Sequence, residues 1–235
     1  MKQGRLTIGL IGQSVEAIAI CQALELAGHQ VVAISANGQL GENSIETLLP
    51  AAKRLPEDQV FEMADLVILG VRTEEIVSTI ARLIDNVRKG QLIVHLAAEF
   101  DHEVLAEVTN KGAIALAMHP AMRFTGTGLD LNRIKESYFA VSAPTVALPI
   151  VQALVIEMGA EPIVVLGPER KLYAEAFTVA GNFSAMIVNQ AVGLLEQAGV
   201  ENPALVIAPV IESAVDQALS KGHQEIKPED LIGDS

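Results

Sequence analysis

The chain holds one cysteine, Cys21, so no intrachain disulfide can form. Cys21 falls inside a helical pattern, where a buried inert thiol is expected rather than a nucleophile. Tryptophan is absent, and two tyrosines and six phenylalanines leave no stacking platform for bases. Basic residues are scarce as well, 16 against 29 acidic ones, for a formal charge of −13. A surface of that sign repels phosphate backbones, so nucleic acid is not an expected partner, and the plain reading of the charge is solubility. No apolar run is expected to span a membrane, and no basic-then-apolar leader with a small-residue cleavage site opens the sequence. A soluble cytoplasmic protein is the expectation. No grouping of His, Cys and carboxylates has the spacing of a metal site, and neither a nucleophile elbow nor a Walker lysine occurs.

What the sequence does have is alternation. Short β-rich runs at Leu6–Ile11, Val31–Ser35, Leu66–Val71, Gln91–His95, Ala113–Met118, Tyr138–Ser142 and Ile163–Leu166 are separated by helical patterns. The helices are expected at Val15–Ala27 (stopped by Gly28), at Glu42–Leu55 (ended by Pro56), after a cap at Thr73, at Asp101–Thr109 and at Thr145–Met158. Repeated strand–helix units imply an α/β fold with a mostly parallel sheet. After Gly167-Pro168 the pattern becomes wholly helical, with helices over Glu169–Gly199 and Pro203–Ser220. The expected organisation is therefore a nucleotide-binding type domain over 1–166 and a small all-helical C-terminal domain over 167–235, with the ligand cleft between them. The first of the two helices is apolar nearly all round, and two helices of this size cannot cover each other. A homodimer through the C-terminal helices is expected.

The strongest local signal is Ile8-Gly9-Leu10-Ile11-Gly12-Gln13-Ser14-Val15-Glu16-Ala17, a strand turning directly into a helix. A dinucleotide fingerprint puts glycines at three places in such a turn; here they hold Gly12, Ser14 and Ala17. Alanine is tolerated at the third place. Serine at the second is awkward, because its side chain is expected to take up space the phosphates would use. Glu16 complements the helix dipole but repels a bound diphosphate. At the end of the second strand, Ser35 and Asn37 stand where an NAD site usually has an acid and an NADP site a nearby arginine.

Taken with Ala64-Asp65-Leu66-Val67-Ile68-Leu69-Gly70-Val71, the strand ending at His95, Met118-His119-Pro120 followed by Phe124-Thr125-Gly126, and the Leu172-Tyr173…Asn182 helix, this opening resembles the 6-phosphogluconate-dehydrogenase-like superfamily. Within it the chain is similar to pyrroline-5-carboxylate reductase and deazaflavin-dependent NADP reductase. More narrowly, it resembles a Rossmann-like oxidoreductase family whose C-terminal helical domain has no assigned function. The resemblance implies an oxidoreductase using NADP or NAD on an unidentified small molecule. It places the dinucleotide along Gly12 to Ala17, with Gly12, Gln13 and Ser14 at the cofactor and Val71 and Arg72 beneath its ribose, and Ser35 at the end of the second strand is a further candidate there. His119 and Asn182 are the candidate catalytic residues. His119 leaves the end of a strand as an imidazole that titrates near neutrality, and Asn182 carries an amide on an apolar helix. His95, Arg123 and Thr125 are the candidate substrate-binding residues, Arg123 as a grip for a carboxylate or phosphate. The chain departs from the pattern at Ser14, at Glu16, at Arg72 (where proline is usual), at Leu96-Ala97-Ala98 and at Ala174. Those departures leave a second reading open, a degenerate binding or regulatory protein without hydride transfer.

Overall fold

The computed structural model describes residues 5–36, 45 and 47–222. It divides into two compact units, Met1–Glu175 and Ala176–Ser235.

The first unit is built on an eight-stranded sheet of order β3-β2-β1-β4-β5-β6-β7-β8. The strands are β1 (Thr7–Gly12), β2 (Gln30–Ser35), β3 (Lys53–Arg54), β4 (Leu66–Gly70), β5 (Leu92–His95), β6 (Ile114–Pro120), β7 (Tyr138–Ser142) and β8 (Glu161–Val164). Neighbours run parallel except β6 and β7. The helices are α1 (Val15–Leu26), α2 (Glu57–Met63), α3 (Ile76–Leu83), α4 (Ala106–Asn110), α5 (Asp130–Lys135), α6 (Leu148–Glu157) and α7 (Gly167–Gln197). The last of these continues into the second unit.

Strand residues alternate between two cores. Ile8, Leu10, Leu66, Ile68 and Val94 pack with Ile18 and Leu24 of α1 and Val151 and Val155 of α6. Ile11, Val67, Leu69 and Ile93 face the other way, onto Phe61 of α2, Ile80 of α3 and Val108 of α4. A sheet covered on both faces explains why β4 reads as an unbroken apolar run rather than an alternating one.

One expected helix is corrected. Glu42–Ser44 lie outside the described residues, as does Asn37, but the pattern does not carry on to Leu55. Ile45, Thr47 and Leu48 are helical, a turn follows at Pro50, and Lys53–Arg54 pair with Ala33 and Ile34 as β3. The cause is Pro50, which lacks the N–H that the next helical turn needs and clashes with the turn before it.

The second unit comprises α7 from Ala176 onward and α8 (Pro203–Lys221). No described residue in it is buried: Phe183, Met186, Ile187, Leu194, Leu205 and Leu219 are each more than half exposed. By length and composition α7 also qualifies as a membrane span, at a mean hydropathy of 1.2. No span was expected from the apolar runs of the sequence, and α7 is the one helix among the described residues that meets the length and hydropathy of one.

Candidate functional site

β1 ends at Gly12, whose φ of +95° lies in the region that favours glycine. A Cβ there would sit 2.3 Å from the carbonyl oxygen of Gly70, at the matching end of β4. That carbonyl accepts hydrogen bonds from the N–H groups of Gln13 (3.1 Å) and Ser14 (3.0 Å), tying the turn to β4. Two of the amides beyond Gly12 are therefore already used. Those of Val15 and Glu16 open the first turn of α1, where no carbonyl lies one turn earlier to receive them.

Ser14 is the N-cap of α1, and its Oγ accepts from the Ala17 N–H at 3.4 Å. The side chain is turned back onto its own helix, and Ser14 still lines the cavity beyond the turn. Ala17 stands close against Gly70, where an added Cβ would lie 2.6 Å from the alanine methyl. The glycine that the fingerprint wants on the helix is supplied on the facing strand instead.

Beyond this turn is a cavity of about 950 Å³. It lies between β1 and β4, where the strand order reverses and open α/β sheets bind ligands. Its volume is at the upper end for small-molecule sites. All six residues expected at a cofactor line it: Gly12, Gln13, Ser14, Ser35, Val71 and Arg72. The wall also carries Glu16, Glu57, Glu74, Glu75 and Arg82, of which the sequence reading had weighed only Glu16 against a ligand.

The two arginines of that wall are engaged. Arg72 pairs with Glu74 at 3.3 Å and with Glu75 at 2.5 Å, and its N–H donates to Glu75 Oε2 at 3.2 Å. Arg72 is thus the N-cap of the Thr73–Glu75 turn, a place expected for Thr73. The guanidinium hydrogen bond holds the Glu75 carboxyl below its usual range. Arg82 is bound to Glu57 through both Nη atoms, Nη2 reaching Oε1 at 3.4 Å.

A second cluster lies at the ends of β5 and β6. His119 Nδ1 is 2.9 Å from the Tyr173 hydroxyl, and the two rings meet edge to face at 5.4 Å. Burial, assisted by the charge of Arg170, lowers the His119 pKa to about 4, while burial pushes the Tyr173 phenol up to about 12. At neutral pH the pair is a neutral imidazole and a protonated phenol. Arg170 is wholly buried, donating from Nε to the Val165 carbonyl (3.0 Å) and from Nη2 to the Ala140 carbonyl (3.1 Å). Its Nη1 is buried without a hydrogen-bond partner, and the guanidinium lies 5.9 Å from the Tyr173 ring.

His95 is wholly buried with both ring nitrogens occupied. Nε2–H donates to the Asp101 carbonyl at 2.9 Å and Nδ1 accepts from the Ala97 N–H at 3.2 Å, which fixes the tautomer. Desolvation lowers its pKa to about 4. This geometry leaves no ring nitrogen to offer a substrate; His95 shapes the loop after β5. Thr125 is held similarly. Its N–H and hydroxyl both donate to the buried Asp130 carboxylate, which also accepts from the Gly126 N–H at 2.8 Å.

None of His95, His119, Arg123 and Thr125 lines the 950 Å³ cavity, although Leu96 and Ala97 beside His95 do. Arg123 is exposed after β6, and Asn182 is exposed on α7 in the second unit. The residues that sequence reasoning missed are Glu57, Arg82, Asp130 and Arg170. Only Arg170 left a signal, a cation in the first turn of a helix, where the dipole disfavours it.

A Rossmann-like domain model matches residues 1–120, and a model described as a domain of unknown function (DUF2520) matches residues 137–227. Curated proteins give no match. Among solved structures, a proposed NADP oxidoreductase from Bacteroides fragilis superposes with a TM-score of 0.76 at 19% identity, over 96% of this chain and 83% of that one. A 1-pyrroline-5-carboxylate reductase from Streptococcus pyogenes gives 0.70 at 16% identity, over 97% and 84%. A semialdehyde dehydrogenase NAD-binding protein from Cupriavidus necator, in complex with calcium and NAD, gives 0.66 at 12% identity, over 96% and 88%. At these identities the likeness is one of fold.

Proposed function

The chain belongs to the Rossmann-like domain family, and from that premise we propose that it is a nicotinamide-dinucleotide-dependent oxidoreductase acting on a small molecule. The observation that carries the reading is the cavity at the Gly12 turn. It is large enough for a nucleotide, it sits at the topological switch point, and Val15 and Glu16 of the first turn of α1 line it. Gly12 cannot carry a side chain, since any Cβ there would strike the Gly70 carbonyl. Gln13, Ser14 and Val71 would hold the pyrophosphate and neighbouring ribose, and Ser35 the far ribose. The dinucleotide supplies hydride transfer when bound. His119 acts as a neutral hydrogen-bonding group oriented by Tyr173, because its depressed pKa leaves almost no imidazolium at pH 7. Asn182 and Arg123 are retained as substrate contacts on their chemistry alone.

We assign the C-terminal helices to a homodimer. From Ala176 onward α7 and α8 have no buried residue among those described, and Phe183, Met186, Ile187 and Leu205 need cover that the described residues do not give them. Each such side chain gains about 1.5–3 kcal/mol on full burial. A second copy supplies a matching surface by symmetry. Light scattering on the purified chain is expected to give twice the monomer mass; a monomer that floats with lipid vesicles would point to a membrane instead. A cytoplasmic location is part of the same reading.

The test of the oxidoreductase reading is calorimetric titration with NADH and NADPH, where micromolar binding of at least one is expected. No heat and no thermal shift at millimolar concentrations of either would refute it. One observation favours the second reading, a binding or regulatory protein: Glu16 lines the cavity where a diphosphate would lie. That reading predicts binding of nucleotide without turnover of any imine or carbonyl substrate.

A further inference from the structure

The reading of the cavity as a dinucleotide site leaves open which dinucleotide, and the wall of the cavity bears on it. From Leu6 to Ala52 the sequence contains no lysine or arginine. The phosphate turn, α1, β2 and the segment that follows β2 therefore bring no cation to the far ribose, where a 2′-phosphate would need one. The end of β2 also lacks the carboxylate that would accept from a ribose diol.

A carboxylate reaches that place from the neighbouring strand. The N–H of Leu55 donates to the Ile34 carbonyl at 3.0 Å, so the chain leaving β3 runs beside the end of β2. Pro56 then starts α2, and Glu57 is its first residue. Ser35, the last residue of β2, and Glu57 line the same cavity. The Glu57 side chain is 17% exposed and is fixed by Arg82. An ionised carboxylate has about four acceptor positions. Arg82 takes two, and two remain for a pair of hydroxyls.

We propose that Glu57, oriented by Arg82, is the residue that accepts the 2′- and 3′-hydroxyls of the adenosine ribose, and that it makes the site select NAD(H) over NADP(H). The alternative is that Arg82 releases Glu57 and receives a 2′-phosphate. The charges on the wall oppose it. The cavity lining sets Glu16, Glu57, Glu74 and Glu75 against Arg72 and Arg82, both paired with those carboxylates, while Lys53 and Arg54 on β3 are exposed and are not part of the lining. A phosphate monoester would add a further charge of about −1.5 to −2 to a lining that is already negative. A diol adds none.

The experiment titrates the wild-type chain, Glu57→Gln and Arg82→Gln with NADH, NADPH, ADP-ribose and 2′-phospho-ADP-ribose, with binding read by calorimetry. The proposal expects the wild type to prefer NADH over NADPH, and ADP-ribose over its 2′-phosphate, by roughly tenfold to hundredfold, the value of a charge-assisted hydrogen bond. Glu57→Gln should bring the two members of each pair to within about threefold. Arg82→Gln, which keeps the carboxylate, should still reject the phosphorylated ligands, so the assignment remains testable even if Glu57→Gln does not fold. Equal binding of both dinucleotides by the wild type overturns the proposal while the dinucleotide reading stands. So does a loss of NADPH binding in Arg82→Gln with NADH binding unchanged. Binding of neither dinucleotide at millimolar concentration removes the dinucleotide reading, and this assignment with it.

Discussion

Replacing Gly70 by alanine tests the contact on which the phosphate turn rests. The new Cβ would lie 2.6 Å from Ala17 Cβ and 3.0 Å from Leu10 Cδ1. Carbon atoms rest at about 3.5–4.0 Å, so α1 and β4 must part by roughly 1 Å at that point. Leu10 can yield by a small rotation, but the Ala17 methyl is fixed to the helix backbone. The same displacement stretches the two hydrogen bonds from Gln13 and Ser14 to the Gly70 carbonyl. Overpacking costs about 1–3 kcal/mol and each hydrogen bond about 1 kcal/mol, against a gain of about 0.5–1 kcal/mol from the stiffer unfolded chain. The net expectation is a loss of about 2–4 kcal/mol, a fall in Tm of roughly 5–15 °C for a chain of this length. Ala17→Gly alone should cost about 1 kcal/mol through helix propensity. If the clash is the cause, Gly70→Ala combined with Ala17→Gly should cost less than Gly70→Ala by itself, a coupling of about 2 kcal/mol. Urea unfolding of the four proteins in the cycle measures this. A neutral Gly70→Ala, or a double variant whose loss equals the sum of the singles, would refute the account of how Ala17 replaces the third glycine.

Glu16→Ala should tighten binding of the preferred dinucleotide by about one to two decades, since a like-charge pair at 6–7 Å and an effective dielectric near 20 costs about 2–3 kcal/mol before screening. Ser14→Gly should add nothing, because the hydroxyl caps α1; calorimetry at low and high salt checks both, and the Glu16 effect should shrink with salt. His95 titrates near 6.5 when unfolded but at about 4 in the folded chain, so between those values the unfolded state binds the extra proton. The stability it contributes, about 3 kcal/mol, is complete above pH 6.5 and is lost as pH falls through that window. A His95 ring signal that titrates near pH 6 by NMR would sink this, as would a urea midpoint unchanged from pH 7 to 4.5. Arg170→Met should be neutral or stabilising, because it removes a buried guanidinium with an unpartnered Nη1, and it should raise the His119 pKa above about 4. A His119 pKa that does not move would mean burial alone sets it.

Much of the fold was legible because it rests on local rules. The run Leu66–Val71 is continuous and apolar because β4 is covered on both faces, and the strand–helix alternation around it allows few topologies. Where local rules compete, the reading slipped. Pro50 and Pro56 both fit a helix stop, and the pattern before Pro56 concealed that Pro50 ends the helix and frees Lys53–Arg54 for the sheet. The site divided along the same line. The six cofactor residues expected from the turn and strand ends line one cavity, since strand ends in a parallel sheet converge by geometry. The histidines could not be sorted from the sequence. His95 and His119 both stand at the C-terminal ends of strands, yet one has both nitrogens spent on its own loop and the other meets a tyrosine 54 positions along the chain.

Arg170 and Glu57 show why the remaining residues were out of reach. An arginine in the first turn of a helix reads as a poor surface choice until the fold buries it beneath β7, with its Nε and Nη2 on the Val165 and Ala140 carbonyls. There its charge adds to the burial that keeps the His119 ring neutral. Glu57 reads as an ordinary acid at a helix start, favourable to the dipole and nothing more. Its place in the cavity depends on a two-residue strand, on the Leu55-to-Ile34 hydrogen bond and on Arg82, which stands 25 positions later. None of those contacts has a periodicity to detect. The degraded look of the fingerprint has the same origin: the glycine absent from α1 is Gly70 on β4, and the acid absent from β2 is Glu57 on α2. A reading confined to one strand–turn–helix unit registers both as losses, whereas the folded chain supplies each group from a neighbouring element.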